Sequence, residues 1–278
     1  MTGADPYPVW IDGALVPDGD ATVRAADHGL LLGDGAFETL VAVDGRPVLW
    51  ERHLRRLRHG LGVLGIDAGL DDDELRSAVV ATVAGRHGRA RVRLTVTAGP
   101  GPLGPVRGGP ATVIVMADAL GPPPASVRLV TVPWVRNERS PVAGVKTTSY
   151  AEGVALLAHA RRHGADEVLL CDSRGRVSEG ATANLVVGTG GVGLTPDVGA
   201  GCLPGVVRQV LLDVGVVAEA DLPLAAAVSA DELLLTSSTR GVVAVSHLDG
   251  RPLPVVDGPL ARRAREAFAA EEAADLSR

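Results

Sequence analysis

The chain has 278 residues, enough for one large domain or two moderate ones, and its 46% hydrophobic and 22% charged content suits a protein with an ordinary buried core. A net charge of −6 and 3% aromatic residues weigh against nucleic-acid binding. No apolar run is long enough for a bilayer, Met1–Pro6 has no leader-like pattern, and Cys171 and Cys202 have neither disulfide-framework nor metal-ligand spacing, so a cytoplasmic protein without membrane or metal is expected.

Residues 8–11 read as a short strand that turns at Asp12-Gly13. Strands over 39–43 and 47–50 flank Asp44-Gly45, a hairpin signal. A helix over 51–64 places His53, Leu54, Leu57, Leu61 and Leu64 on one face. Asp71 with Glu74 makes a capping-box start for a second helix to about residue 84. Strands over 91–97 and 112–117 follow, separated by a Gly/Pro-rich loop. Leu120-Gly121-Pro122-Pro123-Pro124 cannot continue a helix or a central strand. The expected organisation is therefore a small α/β domain over 1–119, a linker over 120–126 and a larger domain over 127–278.

In the second part, strand 127–132, helix 151–163 and strand 167–171 lead to a turn at 172–175. Strands near 184–187 and 233–237 bracket a helix over 206–214, and a last helix starts at about Pro259. Gly188–Gly193 is glycine-rich but has apolar strands on both sides, which makes it a hairpin loop and not a dinucleotide cradle. Without a regular βαβ beat the class is α+β.

Of the 27 basic residues 26 are arginine, and Lys146 is the single lysine. Arginine can replace lysine wherever only a cation is needed, but it cannot lose its proton and act as an amine nucleophile. Lys146 lies in Val145-Lys146-Thr147-Thr148-Ser149-Tyr150, just before a helix. Glu179 follows among small residues, Leu203-Pro204-Gly205-Val206-Val207-Arg208 opens a helix, and Thr236-Ser237-Ser238-Thr239-Arg240 ends a strand. A phosphorylated pyridine aldehyde needs such parts. An amine forms an imine, a carboxylate keeps the ring nitrogen protonated, and a helix N-terminus with hydroxyls and an arginine takes the phosphate. Each segment alone is an ordinary turn, strand end or helix start. No G-x-S-x-G elbow or H-E-x-x-H pair supports a hydrolase or metalloenzyme.

These segments, in this order, resemble the class IV aminotransferases, the fold-type IV pyridoxal-phosphate enzymes. Asp27-His28-Gly29-Leu30-Leu31-Leu32-Gly33-Asp34-Gly35-Ala36-Phe37-Glu38-Thr39 is similar to the family's N-terminal motif, and His53-Leu54-Arg55-Arg56-Leu57 to its H-x-x-R-L helix. The resemblance implies a small α/β domain, a larger pseudo-barrel domain and a homodimer. It implies pyridoxal 5′-phosphate on Lys146, with Glu179 at the ring nitrogen and Leu203 against the ring. The phosphate would be held by Arg56, the Val206 and Val207 amides and Ser238, with Thr239 a helper. Ser149 stands where many members have asparagine, and Tyr150 is a candidate for the cofactor's phenolic oxygen.

The motif wording points to transamination between a D-amino acid, with (R)-amines a further donor class, and a 2-keto acid. Aminodeoxychorismate lyase activity, releasing pyruvate and 4-aminobenzoate, is the first alternative and L-branched-chain transamination a minor one. No R-x-H carboxylate trap is evident after Arg93, so Arg93, Arg107, Arg136, Arg139 and Arg240 are the candidates to hold the substrate carboxylate, Arg240 foremost.

Overall fold

The computed structural model describes residues 7–278, and Met1–Pro6 lies outside the described residues. The chain divides into two compact units, Met1–Gly121 with Val145–Tyr150, and Pro122–Gly144 with Ala151–Arg278.

The first unit contains strands β1 (Val9–Ile11), β2 (Ala14–Val16), β3 (Gly35–Val43), β4 (Arg46–Pro47), β5 (Arg89–Thr97) and β6 (Thr112–Ala119). Its helices are α1 (His28–Leu31), α2 (Trp50–Leu64) and α3 (Asp72–Val83). The strands form one antiparallel sheet in the order β2-β1-β6-β5-β3-β4. Side chains alternate faces along a strand. Ala36, Leu40 and Ala42 on β3 therefore meet Val92, Leu94 and Val96 on β5 in a core closed by Leu54, Leu57 and Leu61 of α2 and Leu75 and Val79 of α3. Glu38 is in phase with Ala36 and Leu40, so the strand carries a carboxylate on its core face. Phe37, Arg91 and Arg93 lie in the opposite phase.

The Asp71–Glu74 capping box opens α3. The strand expected over 47–50 is cut short at Pro47, because Leu49 takes a left-handed turn (φ 53°) and Trp50 becomes the first, buried residue of α2. The Val145–Tyr150 segment lies along β3. Phe37 N–H donates to Lys146 O (2.9 Å), Thr148 N–H to Gly35 O (2.8 Å), and Ala36 bridges Thr147.

The second unit contains β7 (Ser126–Arg136), β8 (Glu167–Asp172), β9 (Val177–Glu179), β10 (Asn184–Thr189), β11 (Val192–Pro196), β12 (Val217–Ala220), β13 (Glu232–Ser237), β14 (Gly241–Leu248) and β15 (Arg251–Pro252). Its helices are α4 (Ala151–Arg162), α5 (Val206–Asp213), α6 (Leu224–Val228) and α7 (Pro259–Leu276). The strand order is β12-β11-β10-β13-β14-β7-β8-β9, and β9 returns to pair with β10 through Glu179 and Asn184. Six strands thus close on themselves, which is the expected pseudo-barrel. Val127, Leu129, Leu169, Leu185, Leu233, Val243 and Val245 fill one core. Leu156 and Ala160 of α4 cover Val168 and Leu170 on the other face of β8. Gly190 and Gly191, both at positive φ, make the two-residue turn between β10 and β11, as the hairpin reading requires. No helix among the described residues is long and apolar enough to cross a membrane.

Candidate active site

In the first unit the backbone pairing with β3 sets the lysine beside an aromatic pair. Lys146 Nζ lies 4.3 Å from the centre of the Phe37 ring and 5.4 Å from that of Tyr150, and the two rings meet edge to face at 5.4 Å. The Arg93 guanidinium lies 3.6 Å from the same Phe37 ring centre. It donates from Nε to Thr95 Oγ1 (3.2 Å), and burial pushes its pKa down while Tyr150 pulls it up. No carboxylate among the described residues is within ion-pair distance of Arg93.

The neighbouring turn of α2 carries a second cluster. Arg56 clasps Glu38 with both arms of its fork, Nε to Oε1 at 2.8 Å and Nη2 to Oε2 at 2.7 Å. His53 Nδ1 meets Glu38 Oε2 at 2.7 Å. Gly60, on the same helix, stands so near the lysine segment that a methyl group in its place would come within 3.2 Å of Val145 Cγ1. The missing side chain lets α2 pack closely there.

The second unit assembles a carboxylate and a helix start. Glu179 Oε2 accepts from Leu203 N–H (3.0 Å), and Leu203 O accepts from Asn184 Nδ2 (2.7 Å). The register partners Glu179 and Asn184 thus hold both polar ends of one residue. Arg136 Nε is 3.1 Å from Glu179 Oε1, but its N–H is not aimed there, so the contact is an ion pair and not a hydrogen bond. Gly205 is the N-cap of α5, with no side-chain cap and no acid in the first turn, so the helix itself supplies no anion to the Val206 and Val207 amides. A Cβ on Gly205 would stand 1.9 Å from Asn184 Oδ1, which reserves the position for glycine. The Cys202 thiol is pushed up to about 12 by burial and by the charge of Glu179, leaving it protonated and unsuited to nucleophilic work.

Ser237 ends β13, and Ser238 and Thr239 form the half-buried turn that follows. Arg240 braces it, donating to Ser237 Oγ (3.2 Å), Thr182 Oγ1 (2.8 Å) and Glu167 Oε2 (3.4 Å). Glu167 is fully buried and also takes bonds from Ala181 N–H (2.8 Å) and Thr182 Oγ1 (2.5 Å). Among the other arginine candidates, Arg107 forms a bidentate pair with Asp34, Arg136 lies between Glu152 and Glu179, and Arg139 is exposed beside Glu138. Among the described residues, Arg93 alone of the five has no carboxylate beside it.

The structure therefore brings Lys146, Tyr150 and Arg93 together around Phe37, and Arg56 to Glu38. It brings Glu179 to Leu203 at the head of α5, and Ser237 to Arg240. Sequence reasoning gave no role to Phe37, Glu38 or His53, although all three lie in the quoted motifs. Polar Glu38 in phase with apolar Ala36 and Leu40 was the available signal. Glu167 and Thr182 gave none, because their meeting with Arg240 spans 73 and 58 residues of chain.

Comparison with known proteins supplies a second line. The family model described as "Amino-transferase class IV" matches residues 35–248. A protein of Methanocaldococcus jannaschii, provisionally named a branched-chain-amino-acid aminotransferase, is 34% identical over 94% of each chain. A bifunctional aminodeoxychorismate lyase / D-amino acid transaminase of Mycobacterium tuberculosis is 31% identical over 88% of this chain and 92% of its own. The solved structure of a hypothetical aminotransferase from Mycobacterium tuberculosis, in a PLP-bound form, superposes with a TM-score of 0.86 at 30% identity, covering 96% of this chain and 99% of that one.

Proposed function

The chain belongs to the class IV aminotransferase family, and from that premise we propose that it moves an amino group from a D-amino acid to a 2-keto acid. The enzyme is a pyridoxal-phosphate-dependent aminotransferase of fold type IV.

The residues present fit that cofactor. The uncapped, acid-free start of α5 suits a phosphate, and the close approach at Gly205 keeps side-chain bulk off the helix entrance. Lys146 Nζ would hold the aldehyde carbon, and Glu179 would hold the proton on the ring nitrogen. Arg56, the Val206 and Val207 amides and the Ser238 and Thr239 hydroxyls would take the phosphate. Leu203, fixed by Glu179 and Asn184, would lie against the ring, and Tyr150 would face the phenolic oxygen. When bound, pyridoxal 5′-phosphate supplies an electron sink for charge formed at the substrate α-carbon. The Lys146 amine in its neutral form would take the substrate α-proton on Nζ and later give it up. Arg93 holds the substrate carboxylate, and both cations lie against the Phe37 ring.

The observation that carries this reading is the lysine amine and an arginine without an acidic partner among the described residues, on one aromatic ring at 4.3 and 3.6 Å. A proton-moving amine and a carboxylate anchor are what an amino-acid transaminase needs side by side. The D-amino acid donor is supported by the Gly33–Thr39 wording and by the 31% identical relative, whose name includes D-amino acid transaminase. A second reading, L-branched-chain donors, is supported by the 34% identical relative. The lyase reading is supported by the other half of the bifunctional relative's name. The purified holoenzyme, mixed with D-alanine, (R)-phenylethylamine, L-leucine or aminodeoxychorismate, separates them through the cofactor spectrum and the products. Conversion of the cofactor to its amine form by D-alanine is expected. Conversion by L-leucine alone would select the second reading, and pyruvate with 4-aminobenzoate from aminodeoxychorismate alone would select the lyase.

In the same proposal the working form is a cytoplasmic homodimer. The exposed apolar side chains Leu30, Leu103 and Val106 support a covered surface on the first unit. A monomer by light scattering of the active enzyme would remove the dimer.

A further inference from the structure

Glu38 is a carboxylate on the core face of a sheet, only 1% exposed. Burial alone would push its pKa up, but Arg56 and His53 outweigh it and hold the carboxyl at about 2. Burial keeps the His53 imidazole below its ordinary 6.5 despite the pull of Glu38, and Arg56 and Lys146 push in the same direction as burial. An ionised carboxylate can only accept, so the proton in the His53–Glu38 bond sits on Nδ1 and fixes the tautomer. The trio is then one anion, one cation and one neutral ring, with no net charge.

An arginine whose charge is cancelled at contact distance exerts little long-range attraction on another anion. What remains is direction. The planar guanidinium has its Nε–Nη2 edge committed to Glu38 by two bonds, which turns the Nη1 end away from Glu38. Glu38 cannot rotate to release that edge, because His53 holds Oε2 from the preceding turn of α2 and the strand backbone is paired on both sides. Each member therefore has one orientation available.

We propose that Glu38 and His53 are positioning residues for phosphate recognition, fixing the Arg56 guanidinium and cancelling its net charge so that it selects the cofactor's phosphate by directed hydrogen bonds. This rests on the reading of Arg56 as a phosphate ligand. A counter-ion role for Glu38 alone gives the opposite sign: removing its charge would leave Arg56 more attractive to phosphate.

The test compares the dissociation constants of pyridoxal 5′-phosphate and of pyridoxal, which has the same ring and aldehyde but no phosphate. It uses the full chain as wild type and as Glu38→Gln, His53→Leu, His53→Asn and Arg56→Gln. The preference for the phosphorylated form should fall on the order of tenfold or more in Glu38→Gln and His53→Leu, the size of effect seen when an outer partner of a ligating group is lost. Pyridoxal affinity should stay at the wild-type value, which reports an intact ring site. His53→Asn keeps a donor near the Nδ1 position and should retain most of the preference. Glu38→Gln with unchanged or stronger preference, or His53→Leu indistinguishable from His53→Asn, overturns the proposal. An unchanged preference in Arg56→Gln overturns the assignment of Arg56 itself and the proposal with it. Should Glu38→Gln not fold, the contrast between His53→Leu and His53→Asn decides alone.

Discussion

At the scale of the residue, lysine and arginine differ in this chain at one position that matters for chemistry. Lys146→Arg keeps the cation and the backbone bonds to β3 while removing the neutral amine, since arginine is not deprotonated in proteins. That variant should melt within a few degrees of the wild type and show no turnover; measurable transamination would remove Lys146 from its role. Arg93→Met keeps the stem over Phe37 but loses the guanidinium. A charge-assisted hydrogen bond contributes about 1.5–3 kcal/mol, so KM for amino acids should rise at least about tenfold, with a smaller change for an amine without a carboxylate. Equal losses on both substrates would show that Arg93 acts through packing. Lys146 was legible because arginine had taken every other cationic position. Arg93 was legible only as one of five arginines, because its distinction is the absence of a partner carboxylate among the described residues, and partners come from segments far away in sequence.

Elements whose signal is local were legible, such as the α3 capping box, the Gly190-Gly191 turn and the apolar face of α2. β14 went unread because Val242–Val245 is buried on both faces, and a continuous apolar run lacks the alternation that marks a strand. The split of the 47–50 segment also escaped, because it depends on the left-handed turn at Leu49, a conformation leucine takes only when its surroundings impose it. Gly205→Ala tests the start of α5. Its Cβ cannot fit beside Asn184 Oδ1, so the Asn184–Leu203 bond must shift, at about 1–3 kcal/mol for an overpacked site. Thermal melting should fall and cofactor should be lost on dialysis; a fully loaded, equally stable variant would show that the close approach is not needed.

For the whole molecule, the buried pair Glu38 and His53, both held below their ordinary pKa, act in the same direction with pH. The folded-state pKa of His53 lies below 6.5, so the unfolded chain takes up that proton first and stability declines as pH falls below about 6.5. Glu38 is held at about 2 against an ordinary 4.5, so its contribution is present above 4.5 and is lost as pH falls toward 2. Apoenzyme melting should therefore drop in two stages on acidification, and His53→Asn should remove the first; a melting temperature that rises from pH 7 to 5 would contradict the neutral assignment of His53. The break at Gly121 follows from the proline-rich stretch, whereas the closed six-strand unit was implied only by the family resemblance. Val145–Tyr150, expected within the second domain, belongs to the first unit through its pairing with β3. The buried Arg240–Glu167 and Arg56–Glu38 contacts were not legible, since they join residues that only the folded chain brings together. The central claim is amino-group transfer through Lys146 from a D-amino acid. Its most direct test supplies the holoenzyme with ¹⁵N-labelled D-alanine and a second 2-keto acid, and follows the label by mass spectrometry. The account predicts one equivalent of pyruvate per ¹⁵N delivered to the second keto acid, and no transfer in Lys146→Arg. Label that stays on alanine, or that moves equally well in Lys146→Arg, would contradict it.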